Sequence, residues 1–214
     1  MDRQELIRKI NRLRSDEKLS AKVKTRIKQF EEIHEKDSKT WFNELCFCLL
    51  TANSSAKKGM EIQGYMKRND GFMKLPKDKL TENLKRLGHR YYNKRSEFIM
   101  EDRRFSDIIK DIITSFDNEF KAREWLVKNV KGLGYKEASH FLRNVGYKNL
   151  AILDKHILRL LHEHGMIQEI PKQLTRRRYY SIEKEIHDIG KELNIPLAEL
   201  DLFMWYMKTG EVLK

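Results

Sequence analysis

The sequence predicts an all-α fold, and three observations lead to that expectation. Apolar residues recur at helical spacing nearly from end to end, convincing period-2 alternation is absent, and clusters of breakers separate the periodic stretches. The first predicted helix, 3–14, is charged and amphipathic, with Leu6, Ile7, Ile10 and Leu13 along one side, so it reads as part of the fold rather than as a signal peptide. Helices over 20–36, 39–51 and 55–68 follow, the second of them through the apolar run FNELCFCLLT. The breakers Gly71 to Pro76 then interrupt the chain, and a helix over 77–87 stops at Gly88. Helices over 93–101, 105–115 and 118–130 lead to a Gly-x-Gly turn, which opens a helix over 135–146. After Gly146 to Asn149 and the apolar run Leu150 to Leu153, a helix spans 154–164. Gly165 to Pro171 precede a helix over 177–193, and Pro196 introduces the last, 197–208.

Composition narrows the partners. At 214 residues the chain is long enough for one domain or two small lobes. A net charge of +12 and a pI near 9.6 favour an acidic partner such as nucleic acid. There is no run of 18 apolar residues and no signal-peptide pattern, so the expectation is no membrane span and a cytoplasmic protein, nucleoid-associated if its acidic partner is DNA. Cys46 and Cys48 read as small buried hydrophobes in a reducing compartment, since one helix would project them differently.

The stretch VKGLGYKEASHFLRNVGYKNLAILDKHILRLL, Val130 to Leu161, is the most informative in the chain. Gly132 and Gly134 flank Leu133 in a turn suited to a tight helical hairpin, where glycine admits positive φ and close approach of a ligand. The amides opening the next helix face outward with a positive dipole end, and a phosphate is their natural partner in a basic protein. Ala138, Phe141, Leu142 and Val145 form that helix's buried stripe, which places Lys136, His140 and Arg143 on the opposite side. Asp154 stands eighteen residues beyond Lys136 and opens another helix.

A hairpin of this pattern followed by hDxHhxR resembles the helix-hairpin-helix DNA glycosylases with lyase activity, on Gly132, Gly134, Lys136, Asp154, His156 and Arg159. Leu49-Leu50-Thr51-Ala52-Asn53 resembles the family's stack-inserting loop, and Leu87 to Tyr92 (LGHRYY) its segment that contacts the orphaned base. The resemblance covers roughly residues 40 to 208. It implies a two-lobed fold with the active site in the interlobe cleft, with lobes of about 1–50 plus 165–214 and 51–164, and the hairpin at 118–146. Two cysteines, both early, cannot hold the iron–sulfur cluster that several relatives carry. There is also no room for the N-terminal sheet domain of the eukaryotic type. The chain therefore looks like the type 2, largely archaeal 8-oxoguanine DNA glycosylase/AP lyase.

The resemblance assigns chemistry residue by residue. Lys136 is the expected nucleophile at C1′ of a damaged nucleotide, forming a Schiff base; an amine does this only unprotonated, so it needs desolvation or neighbouring cations such as His140 and Arg143. Asp154 is expected to stabilise oxocarbenium character or to orient the amine, although the position also suits a plain N-cap worth about 1 kcal/mol. Gly132, Gly134, His156 and Arg159 are expected on the DNA backbone. Asn53 is expected to fill the vacated stack, and Arg90 to meet the orphan cytosine with its planar donor fork. The damaged base, once flipped, needs a pocket. Trp205 lies off the buried stripe of the last helix, either packed against another element or waiting for a base. Asp201 suits a base edge, with an exposed helix carboxylate as the plainer reading, and Lys214 matches the family's C-terminal lysine that tells 8-oxoguanine from guanine. KQLTRRR, Lys172 to Arg178, suits phosphates or simply a solvated face.

Together these readings imply a monomeric base-excision repair enzyme for damaged duplex DNA that needs no cofactor. The resemblance adds a monovalent cation at the hairpin, and no metal-ligand cluster is visible. Two alternatives stay open at this point: a glycosylase/lyase for another oxidised base such as a pyrimidine lesion, and a non-catalytic hairpin module that only binds DNA.

Overall fold

One helix buried on every side organises the centre of the chain. The computed structural model describes residues 2–214, and these hold thirteen α-helices, one 3-10 turn and no strand. Helices α1 (Arg3–Ser15) and α2 (Glu17–His34) are joined through Asp16 alone, whose carboxylate caps α2 at Leu19 N (3.0 Å). That cap starts α2 three residues earlier than the sequence suggested. Helix α3 (Ser38–Thr51) follows, capped by Asp37 at Thr40 N (2.9 Å), and every residue from Trp41 to Thr51 is buried.

Helices α4 (Ala56–Lys67), α5 (Gly71–Lys74), α6 (Lys77–Arg86) and α7 (Tyr92–Asp102) come next, then a 3-10 turn Arg103–Phe105 and α8 (Ile109–Thr114). Two of these differ from expectation. The short α5 lies in a stretch read as pure breaker, where Gly71 fits tightly against the Met66 sulfur and the helix stops before Pro76. The helix expected over 105–115 is broken after the 3-10 turn, and α8 is capped from far away, Lys110 N donating to Ser38 Oγ (3.2 Å).

Helices α9 (Glu119–Asn129) and α10 (Tyr135–Asn144) form the predicted hairpin. The chain then continues through α11 (Lys155–Glu163), α12 (Arg176–Leu193) and α13 (Leu197–Thr209). Cys46 and Cys48 are buried and form no disulfide among the described residues, as expected. Among the described residues no helix is long and apolar enough to cross a membrane.

Contacts divide the chain into two compact units: the chain up to Glu31 with Gly146–Lys214, and Glu32–Val145. The sequence reading had cut at 50 and 164, and packing explains the difference. In the central unit α3 lies against α4, α7, α8 and α10, so residues 38–50 belong there. In the terminal unit α13 lies against α1, α11 and α12. Segment 146–164 belongs with these: Lys148 O accepts Ala198 N (2.9 Å), and its ammonium pairs with Glu31 (2.5 Å).

Candidate active site

The central unit carries the hairpin and its lysine. Gly132 sits at φ +82°, and a Cβ there would stand 2.3 Å from the Phe98 ring, so both backbone and space demand glycine. Gly134 is different: its backbone is extended (φ −96°, ψ −175°), and a Cβ would meet only Glu137 Oε2 at 3.4 Å. As the N-cap of α10 it supplies no capping side chain, and the amides of Gly134, Lys136 and Glu137 have no acceptor among the described residues. The carbonyls of Lys131, Gly132 and Leu133 likewise accept no hydrogen bond from the described residues. The turn is held from beneath by α7, which places Phe98 against Gly132 and offers Asp102 Oδ1 to Lys131 N (2.9 Å).

Lys136 lies in the first turn of α10, its side chain 22% exposed, with Nζ 3.7 Å from Glu137 Oε1. His140 and Arg143, one and two turns further along α10, are not exposed as Lys136 partly is. Both are buried: His140 stacks edge-on against Phe47 (5.6 Å), and Arg143 donates to Asn144 Oδ1 (3.0 Å). Asn144 in turn donates to Glu44 Oε2 (3.3 Å), and Gln63 to Glu44 Oε1 (3.0 Å). The side of α10 read as cationic thus belongs to an internal polar network of the central unit.

Asn53 and Arg90, both exposed, belong to the same unit. Asn53 adopts a left-handed conformation (φ +58°) just past the end of α3. Arg90 stacks over the exposed ring of Tyr91, 4.5 Å from its centroid, and donates to its hydroxyl.

The terminal unit holds the remaining candidates. Asp154 caps α11 through Oδ1, which accepts His156 N and Ile157 N (both 2.8 Å), while Oδ2 accepts Trp205 Nε1 (3.2 Å). Trp205 is therefore packed against the start of α11, with its ring edge-on to His156 at 6.2 Å. Arg159 is exposed one turn further along. Two residues of α12 fix the strand-like run that leads into Asp154. Glu183 Oε1 accepts Ala151 N (2.9 Å), and the Tyr179 hydroxyl donates to Ala151 O (2.7 Å) and accepts Leu153 N (3.4 Å). Sequence reasoning missed both, because their partners lie 26 to 32 residues away.

Asp201 is buried, not an exposed helix carboxylate. Lys214 is half-buried at the end of the tail. A cavity of about 560 Å³ in this unit is lined by Lys22, Thr25 and Arg26 of α2, by Tyr206 and by tail residues 210–213, with neither Trp205 nor Lys214 on its wall. In the basic run, Arg176 and Arg177 are exposed, and Arg178 pairs with Glu169 (2.9 Å).

A family model described as 8-oxoguanine DNA glycosylase, of the helix-hairpin-helix type, matches residues 23–195. The chain belongs to this family. A relative from Methanocaldococcus jannaschii, named 8-oxoguanine DNA glycosylase/AP lyase, is 54% identical over 98% of this chain and 99% of its own. One of the same name from Thermotoga maritima is 42% identical with the same coverage. The fold agrees with both relatives. The Methanocaldococcus jannaschii glycosylase/lyase, crystallised with a 15mer DNA containing 8-oxoguanine, superposes with a TM-score of 0.95 at 53% identity, over 98% of this chain and all of that one. The Thermotoga maritima 8-oxoguanine DNA glycosylase gives 0.92 at 42% identity, over 99% of each. Membership over nearly the whole length agrees with the all-helical, helix-hairpin-helix reading of the sequence.

Proposed function

We infer that this protein is a bifunctional enzyme that excises 8-oxoguanine from duplex DNA and nicks the strand by β-elimination. The observation that carries this reading is similarity over nearly the whole length to relatives named for both activities, joined to a lysine in the first turn after the hairpin. In the reading, Lys136 Nζ bonds to C1′ while the bond to the base breaks, and the base leaves with that electron pair and takes up a proton. Opening of the sugar gives an imine, which acidifies the C2′ proton. Loss of that proton expels the 3′ phosphate and cuts the strand.

Asp154 acts on the same nucleotide as the carboxylate that offsets positive charge developing at C1′. Three hydrogen bonds hold it rigidly for this, two from α11 amides and one from Trp205. Trp205 on this reading supports Asp154 as well as contributing to the base pocket, where Asp201 and Lys214 complete the set. The free amides of Gly134, Lys136 and Glu137 suit a DNA phosphate, helped by His156 and Arg159. The turn carbonyls of Lys131, Gly132 and Leu133 are hard oxygen donors that would hold a monovalent cation, which would add positive charge where a phosphate approaches. Asn53 fills the vacated stack and Arg90 meets the orphan cytosine. Replacing Lys136 with Gln is expected to abolish strand cutting at 8-oxoguanine while leaving duplex binding largely intact. Undiminished cutting by that variant would overturn the assignment.

A further inference from the structure

The end of α3 is finished by side chains from another segment. A helix leaves its last carbonyls without intrahelical partners, and two of those here are claimed from 89–95. His89 is wholly buried, and its Nδ1 accepts Tyr91 N at 3.2 Å. The proton therefore sits on Nε2, which donates to Leu50 O at 2.9 Å. Burial, and after it the neighbouring Arg95 charge, hold this imidazole neutral, against the opposing pull of the Leu50 carbonyl. Arg95, also buried, donates through Nη2 to Ala52 O at 2.8 Å. No carboxylate pairs with it among the described residues, and its Nε has no partner. Its guanidinium also lies over the Phe98 ring, 5.6 Å from the centroid, yet a buried cation with one carbonyl for a hydrogen-bond acceptor calls for a reason beyond stability.

The exposed residues nearest these two contacts are the ones assigned to the DNA. Asn53 follows Ala52 directly, in a left-handed conformation that its carbonyl neighbours must keep in place. Arg90 stands between His89 and Tyr91, the two residues linked by the Nδ1 contact. We propose that His89 and Arg95 are positioning residues that lock the Leu50–Asn53 loop to the His89–Tyr91 segment, so that the stack-filling and orphan-base contacts enter the duplex as one preset unit. This rests on the roles given above to Asn53 and Arg90. It predicts a selective defect, because imine formation and β-elimination by Lys136 need no opposite strand, whereas excision from duplex needs the gap filled.

The test compares two substrates: duplex carrying 8-oxoguanine opposite cytosine, and a single-stranded oligonucleotide with an abasic site. His89→Phe keeps the volume and removes both hydrogen bonds, and Arg95→Met does the same for the guanidinium. Both are expected to slow duplex excision by about tenfold or more while changing single-strand cleavage by less than about twofold. His89→Gln can still reach Leu50 O, and it is expected to restore most of the duplex rate. Equal loss on both substrates, or duplex excision at the native rate in both variants, overturns the proposal. Asn53→Ala and Arg90→Ala separate it from the reading beneath. If they lose duplex excision and the His89 and Arg95 variants do not, the lock alone is wrong. If they lose nothing, the contact assignment falls and the lock with it.

Discussion

Asp102 gives a stability prediction whose sign is unusual for an acid. Its side chain is wholly buried under the hairpin, Oδ1 taking the Lys131 amide at 2.9 Å and Oδ2 finding no partner. Burial pushes the carboxyl up from 3.8 to about 7, against the Lys131 hydrogen bond that pulls it down. Because the folded value is raised, the stability linked to this group is fully present below pH 3.8 and is lost as pH rises through about 7. The gap is about three pH units, each worth about 1.4 kcal/mol, so the loss approaches about 4 kcal/mol at most. Asp102→Asn keeps an oxygen for Lys131 N and cannot ionise, so the variant escapes the penalty. Denaturant melts of both proteins from pH 4 to pH 8 test this. The variant is expected to gain on the parent steadily up to about pH 7 and to hold a constant advantage beyond it. Parallel stability profiles would refute the argument.

Five further outcomes follow from the site. Gly132→Ala forces a left-handed alanine against Phe98 and is expected to lower stability by about 2 kcal/mol or more. Gly134→Ala, in extended backbone with room for a Cβ, should melt like the parent yet bind duplex more weakly, which separates folding from phosphate approach in a melt and a binding titration. Asp154→Asn preserves an oxygen for the two α11 amides, so it should fold normally while excision falls by about a hundredfold or more. Trp205→Phe, which removes only the bond to Oδ2, should cost about tenfold. Deleting Lys214 is expected to reduce the preference for 8-oxoguanine over guanine more than it reduces duplex binding, measured on matched damaged and undamaged duplexes.

Local patterns carried most of the fold and tertiary contacts the rest. The stripe Leu6, Ile7, Ile10 and the apolar run FNELCFCLLT are local signals, and α1 and α3 were readable from them. The cap of α8 by Ser38 is seventy-two residues distant, so no window of sequence reveals where that helix starts. The same limit applied at the site. Lys136, Gly132 and Asp154 stood in one motif, and the structure places each in the local setting that motif implies: hairpin, turn and N-cap. His140 and Arg143 looked cationic and solvated because a 3.6-residue period assumes one buried side, whereas α10 is buried nearly all round by the polar network of Arg143, Asn144, Glu44 and Gln63. His89, Arg95, Asp102, Tyr179 and Glu183 were unreadable for a related reason. Each bonds main-chain atoms remote in sequence, and a side chain that serves a distant backbone leaves no periodic trace.

The first measurement is borohydride trapping on labelled duplex with 8-oxoguanine opposite cytosine, using the parent and Lys136→Gln. A covalent complex with the parent that vanishes in the variant is the predicted result, since only an imine at Lys136 can be reduced to a stable link. An adduct that persists in the variant would contradict the nucleophile, and an adduct formed only with an oxidised pyrimidine would contradict the lesion.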